Sequence, residues 1–264
     1  MPLSLQTFPT VGEAQSALSA GAARYMGGGT LVVRAANEGD LSFDTFVRAT
    51  DRSLREIAVA DGMATLGASV TMAEVARDPE LSTIAKAARA VGGPAVRNMA
   101  TIGGNLFAPA PYGDFSLALL ALGAAIHAGG RELPIEEFLA GRDSFEGIVT
   151  SVRFRLPAAD AFRFAKVSRV KPKGISVLSI AAVIEKATDG AVGAARIALG
   201  CMGDRPMRAT AAEKALAGKA LTEEGIAGAV AAIGEGTAPF TDAVASAWYR
   251  GEVLPVHFRR LMLA

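Results

Sequence analysis

Thr101-Ile102-Gly103-Gly104-Asn105 is the stretch that decides the fold. It follows Gly93-Pro94-Ala95-Val96-Arg97-Asn98-Met99-Ala100 and leads into Pro109-Ala110-Pro111-Tyr112-Gly113-Asp114. A second glycine turn stands well before it, Gly27-Gly28-Gly29-Thr30, after Ala22-Ala23-Arg24-Tyr25-Met26. Each turn is bordered by β-prone or apolar residues. Glycine lacks Cβ, so its backbone reaches φ > 0 and approaches a ligand closely. Successive free N–H groups in such turns form anion-binding nests. Two nests on one chain suggest a ligand with two phosphates, such as a dinucleotide. Neither turn is a Rossmann fingerprint, because no G-x-G-x-x-G follows a strand. Neither ends in the Gly-Lys-Ser/Thr of a P-loop. The competing reading of each is a plain tight turn, since glycine makes up 29 of the 264 residues.

Composition narrows the function. Hydrophobic residues are 51% and charged residues 20%, as in a globular chain. A net charge of +1, with Lys and Arg spread along the sequence, gives no footprint for nucleic acid. The longest apolar run, Phe115 to Ala128, is broken by Ser116, Gly123 and His127 and is too short to span a bilayer. Met1-Pro2-Leu3-Ser4-Leu5-Gln6 has no basic segment followed by an apolar core, so no signal peptide and a cytoplasmic location are expected. The single cysteine, Cys201, excludes an internal disulfide and an iron–sulfur cluster held by this chain. His127 and His257 lack ligand spacing, so no metal site is expected. His127 reads as a packed side chain and His257 as a surface residue. Ser-His-Asp or Cys-His catalysis has no local support.

Working outward, the first fifty residues read as α/β: helix Val11 to Ala20, strand Ala22 to Met26, short helix Leu31 to Ala36 and strand Thr45 to Ala49. Ile57 to Ala60 and Met63 to Leu66 flank Asp61-Gly62, a hairpin signal. Thr71 with Glu74 is a capping box, and its helix stops near Asp78-Pro79. Leu81 to Val91 and Leu117 to Leu122 have helical spacing. Ala124 to Ala128 and Arg131 to Leu133 flank Gly129-Gly130, and Ile148 to Phe154 is a strand. Pro157-Ala158-Ala159-Asp160 marks a boundary. Beyond it lie strands Phe162 to Ser168, Ser176 to Glu185 and Ala194 to Leu199, then helices Ala209 to Ala217, Glu223 to Ile233 and Ser246 to Leu263. A sheet followed by a helix cluster is an α+β unit.

The chain resembles the FAD-binding medium subunits of molybdenum hydroxylases, which include carbon monoxide dehydrogenase, xanthine dehydrogenase and aldehyde-oxidising relatives. Gly93 to Leu106 carries most of the likeness, with Pro111-Tyr112-Gly113-Asp114 next. Ala195-Arg196-Ile197-Ala198-Leu199-Gly200, Pro206-Met207-Arg208-Ala209-Thr210 and Ser246-Ala247-Trp248-Tyr249-Arg250 resemble the family's C-terminal part. The resemblance implies an α+β protein. Residues 1–157 would form a vanillyl-alcohol-oxidase-type FAD-binding domain of two α/β subdomains, about 1–53 and 54–157. Residues 158–264 would form a domain with a three-stranded antiparallel sheet and a helix bundle. It implies FAD on this chain, with the molybdopterin cofactor on a large partner subunit and [2Fe–2S] clusters on a small one. The assembly would be a heterotrimer, paired into a dimer of heterotrimers. This chain would take electrons from the clusters and pass them to an external acceptor.

The same resemblance assigns residues. Met26, Gly27, Gly28, Gly29, Thr30 and Leu31 match the first FAD loop, and Ala100, Thr101, Gly104 and Asn105 fall in the second. Backbone N–H groups of both loops would hold the pyrophosphate, with Thr30, Thr101 and Asn105 adding side-chain bonds. Asp114 matches an acid near the ribityl hydroxyls; it also reads as the N-cap of Leu117 to Leu122. Val149 matches an apolar residue beside the isoalloxazine; alone it reads as core. Lys166 lies where a cation approaches the flavin in some relatives and would favour its anionic reduced form; alone it reads as a solvated strand lysine. Three positions depart from the family: Leu31 replaces a polar residue, Gly27 an alanine, a benign change, and Gly174 an acidic or aromatic residue. A free-standing flavin oxidoreductase and a flavin-free scaffold of the same fold are the competing readings.

Overall fold

The computed structural model describes residues 3–170 and 174–264; Met1 and Pro2, at the head of the stretch read for a leader, lie outside the described residues. Ser4–Phe8 (β1), Val11–Ser19 (α1), Ala23–Tyr25 (β2), Val32–Asn37 (α2) and Thr45–Ala49 (β3) build a three-stranded parallel sheet in the order β1-β3-β2. Helix α1 starts on Thr10, whose hydroxyl accepts the Glu13 N–H while the Glu13 carboxylate accepts the Thr10 N–H.

Ile57–Ala60 (β4) and Met63–Gly67 (β5) turn at Asp61-Gly62, where φ of 51° and 74° supplies the two left-handed residues of a type I′ turn. Five short helices follow: Met72–Arg77 (α3), Ala85–Ala90 (α4), Pro94–Arg97 (α5), Ile102–Leu106 (α6) and Asp114–Leu122 (α7). Next come Ala125–Ala128 (β6), Arg131–Pro134 (β7), Ile135–Gly141 (α8) and Val149–Arg155 (β8). The strands form a five-stranded antiparallel sheet in the order β4-β5-β8-β6-β7. Helix α7 is buried along its whole length and packs against this sheet and the next one.

Phe162–Ser168 (β9), Ser176–Lys186 (β10), Val192–Gly200 (β11) and Met207–Arg208 (β12) form an antiparallel sheet in the order β12-β11-β10-β9. Its three long strands are those expected, and the two-residue β12 is added at the edge. Thr210–Leu216 (α9), Glu223–Ala232 (α10) and Ala247–Met262 (α11) cover one face, where Leu178, Ile180, Ala182 and Ile184 meet Ile226, Leu254 and Phe258. On the other face Phe164, Ala181 and Ala198 join the large core around α7. With both faces covered, β10 is buried without a break from Ser176 to Ala182. A strand enclosed on both sides reads as such a continuous run.

Some local expectations change. Only Ala85–Ala90 of the expected Leu81 to Val91 helix is α-helical. Before it, the Asp78 carboxylate accepts the Glu80 N–H at 2.9 Å, an Asx turn that draws the chain into three-residue turns. His127 is half-exposed rather than packed, and its Nε2 lies 2.8 Å from Glu132, its cross-strand partner on β7. Strand β1 and helices α5 and α8 have no counterpart in the pattern reading.

Candidate functional site

The two glycine turns lie against each other. Gly28 presses on the Met99 carbonyl so closely that a Cβ would overlap its oxygen. A Cβ on Gly27 would stand 2.7 Å from Thr101 Oγ1, so alanine at this position is not benign here. Gly29 is left-handed, with φ of 75°. The Met26 N–H is held by the Val47 carbonyl at 2.8 Å, and the Val33 N–H by the Gly29 carbonyl at 3.0 Å. Between them, the N–H groups of Gly27, Gly28, Gly29, Thr30 and Leu31 donate to no other described residue. Successive uncommitted donors in a turn are the material of a nest. Leu31 stands at the N-cap of α2 and brings no side-chain cap, as its apolar character dictates.

The second turn differs from its sequence reading. Gly103 and Gly104 are not left-handed; they form the first turn of α6. The Ile102 N–H goes to the Val70 carbonyl at 2.9 Å and the Gly103 N–H to the Ala68 carbonyl at 2.8 Å. The Gly104 N–H goes to Thr101 Oγ1 at 3.1 Å, and the Asn105 N–H to the Thr101 carbonyl at 2.9 Å. The Ala100 N–H is held by Val96 at 2.7 Å, which leaves only Thr101's N–H uncommitted in this loop among the described residues. Gly103 serves packing, since its Cβ would come 3.0 Å from Ala68 Cβ. Gly104 is open: a Cβ there would meet only Thr101 Oγ1, at 3.1 Å.

Asn105 and Asp114 also take unexpected roles. Helix α7 is N-capped by Gly113, at φ 93°, which has no side chain to offer. Asp114 is therefore the first helical residue and not the cap. Asn105 supplies the cap from α6: its Oδ1 accepts the Ser116 N–H at 2.8 Å and the Ser116 hydroxyl at 3.0 Å. Asp114, 6% exposed, is bound by the C-terminal sheet, with Lys166 Nζ at 2.8 Å from Oδ2 and Ser176 Oγ at 2.9 Å from Oδ1. Lys166 Nζ donates as well to the Ala90 carbonyl at 2.9 Å, so it is a partly buried, paired lysine rather than a solvated one. Cys201 borders this cluster; burial pushes its thiol up to about 12, and its sulfur lies 3.6 Å from the Ser176 carbonyl.

Val149 is buried in the large core at the start of β8. The carbonyl of its neighbour Thr150 accepts the Ala68 N–H at 2.8 Å, and the Ala68 carbonyl accepts that of Gly103. Val149 is thus two bonds from the second loop. Tyr112 Oη lies 2.9 Å from Arg34 Nη1 on α2, which ties the segment before Asp114 to the helix after the first loop. A Cβ on Gly174 would overlap the Val170 carbonyl. Met99, Ser116 and Ser176 carry no site role in the sequence reading. Their signal is contact across the fold, and no local motif carries it. A groove of about 720 Å³ along Pro109, Ala110, Asp204 and Arg205 is lined by none of the expected site residues. Among the described residues no cluster of His, Cys, Asp or Glu forms a metal site, and no helix is long and apolar enough to cross a membrane.

Two family descriptions match the chain end to end. FAD binding domain in molybdopterin dehydrogenase covers residues 4–158, and CO dehydrogenase flavoprotein C-terminal domain covers 163–264. Among curated relatives, the glyceraldehyde dehydrogenase medium chain of Sulfolobus acidocaldarius is 30% identical over 64% of this chain and 63% of its own length. The nicotinate dehydrogenase FAD-subunit of Eubacterium barkeri is 28% identical over 80% of this chain and 77% of its own. The carbon monoxide dehydrogenase medium chain of Afipia carboxidovorans is 29% identical over 69% and 65%. The match therefore spans a little under two thirds of the Sulfolobus and Afipia chains. In fold, a chain of the carbon monoxide dehydrogenase of Hydrogenophaga pseudoflava superposes with a TM-score of 0.90 at 24% identity, over 99% of this chain and 96% of that one. A chain of quinoline 2-oxidoreductase from Pseudomonas putida gives 0.88 at 23%, over 100% and 96%. The chain belongs to the FAD-binding medium-subunit family of molybdenum-hydroxylase-type dehydrogenases, and FAD is the cofactor of that family.

Proposed function

We propose that the chain holds FAD across its two loops and works as the electron-transfer subunit of a molybdenum hydroxylase. The observation that carries the reading is the row of uncommitted N–H groups from Gly27 to Leu31, facing a second loop that contributes Thr101. The donors suit a pyrophosphate, because a nest offers several N–H groups to one anion. The close approach of Gly28 to Met99, which leaves no room for a Cβ, supports a single cradle shared by both loops. Met26, Thr30, Ala100 and Gly104 line that cradle in this reading, Asn105 shapes it, and Asp114, Val149 and Lys166 lie toward the flavin end. When bound, FAD supplies the exchange between electron pairs and single electrons. The chain's own residues grip the phosphates and place the charges of Asp114 and Lys166.

The same reading divides the chain at 157/158, in keeping with the limits of the two family matches. A large molybdopterin subunit would oxidise the substrate, and a small [2Fe–2S] subunit would deliver the electrons. One cysteine suits this division, since each such cluster takes about four ligands. The cytoplasm and a dimer of heterotrimers belong to the same proposal. A free-standing oxidoreductase would need an acid or base above the flavin. The hydroxyl of Tyr112, between the second loop and Asp114, is engaged by Arg34.

The purified chain is expected to bind FAD stoichiometrically and to release it on acid precipitation, because no His or Cys stands at a loop to form a covalent link. It should carry electrons from a chemical reductant to a dye, yet oxidise no aldehyde or N-heterocycle until the two partner subunits are added. A colourless chain that FAD cannot reconstitute would defeat the proposal. Substrate turnover by the lone chain at about 1–10³ per second would replace it with the free-standing enzyme.

A further inference from the structure

Strand β10 runs along the seam between two cores, and its side chains alternate between them. Leu178, Ile180, Ala182 and Ile184 face the helices α9–α11, whereas Ala181 and Val183 face the core around α7. Strict alternation would put Ser176 with the even-numbered row, toward the helices. The register against β9 shifts instead: Ser176 lies opposite Ser168, and Leu178 opposite Val167. The extra residue is a β-bulge, and a bulge re-aims a neighbouring side chain. Ser176, 1% exposed, is thereby turned to Asp114 and donates its hydroxyl to Oδ1 at 2.9 Å. On β9, Lys166 shares the row of Phe162 and Phe164 and takes the other oxygen at 2.8 Å. Two donors from adjacent strands fix both the position and the plane of the carboxylate.

The contact continues within the first turn of α7. Ser116 donates its N–H and hydroxyl to Asn105, whose carbonyl also accepts that hydroxyl, at 2.6 Å. Asn105 in turn lies in the helix that Thr101 caps. Polar contacts and the turn of α7 therefore connect β10 to the second glycine loop, in the order Ser176, Asp114, Ser116, Asn105, Thr101.

We infer that Ser176 is a positioning residue for FAD binding: from the C-terminal sheet it fixes Asp114, and with it the α7 turn that holds Asn105 and the second loop. The inference rests on the reading that FAD lies at the two loops. It gives the C-terminal sheet a part in flavin binding, although every loop residue belongs to the first half of the chain.

The test is FAD titration of the flavin-free full chain, followed by flavin fluorescence. Ser176→Ala is expected to bind about tenfold more weakly, the scale of one hydrogen bond to a charged group. Ser176→Thr, which keeps the hydroxyl on a strand-favouring residue, is expected to restore most of the affinity. Ser176→Ala combined with Asp114→Asn should bind no more weakly than Asp114→Asn alone, because both changes act through one carboxylate. Additive losses, or a threonine variant as weak as alanine, would show that Ser176 only packs and would overturn the inference. Wild-type affinity in Ser176→Ala, with the unaltered chain binding FAD, would overturn it too and leave the loop reading intact. An unaltered chain that takes up no FAD would remove the loop reading and this inference together. If Ser176→Ala does not fold, Ser176→Cys serves in its place: its weak donor should give intermediate affinity, and wild-type affinity would refute the role.

Discussion

The two glycine turns look alike in sequence and behave differently in the fold. From Gly27 to Leu31 the backbone is left with free N–H groups, a left-handed Gly29, and a Gly28 that fits only because it lacks a Cβ. From Ile102 to Asn105 the backbone is helical, and every N–H after that of Thr101 is committed inside the protein. The first turn is built to donate. The second is built to hold: Gly103 lets the loop sit on Ala68, and Asn105 caps the next helix. A glycine pair thus signals close approach, and the neighbouring backbone decides whether the approach is to a ligand or to the protein itself.

The strongest way to break this comparison is Gly28→Ala. The new methyl overlaps the Met99 carbonyl, a backbone atom that cannot turn aside. The two loops must separate, at a cost of about 3 kcal/mol, so FAD affinity should fall roughly 100-fold. Titration with FAD checks this. Affinity within a factor of two of wild type would mean that the loops are not a joint cradle.

Asn105→Ala comes next. It leaves the buried Ser116 N–H without its partner and should lower stability by ~1–3 kcal/mol in urea unfolding of the flavin-free chain. If the loss appeared only in FAD affinity and not in stability, Asn105 would be a ligand contact rather than a cap.

The smallest expected change in stability sharpens the contrast most. Gly104→Ala adds a methyl in an α-helical residue, against Thr101 Oγ1 alone. Unfolding of the flavin-free chain should shift by no more than ~0.5 kcal/mol, since alanine's better helix propensity offsets the contact. FAD affinity should nevertheless fall, because the methyl enters the open side of the loop. Unchanged affinity would make the second loop purely structural.

Sequence by itself determined what depends on near neighbours along the chain. Asp61-Gly62 specified its hairpin because two left-handed residues are needed at that turn, and Thr71 with Glu74 specified a helix start three residues wide. Composition, with one cysteine and two distant histidines, set the expectation that metal and iron–sulfur centres lie on other chains. The resemblance around Gly93 to Leu106 supplied the family. Tertiary structure alone decided which atoms those motifs meet. Gly28 against Met99, Asn105 over the N-terminus of α7, and Asp114 between Lys166 and Ser176 are contacts between distant segments. The bulge that turns Ser176 toward Asp114 depends on pairing with β9, which no local pattern states. The reason is physical: caps and turns are settled within four residues by backbone sterics and hydrogen bonds, whereas the partners of a buried polar group are settled only when the sheets and α7 close on one another.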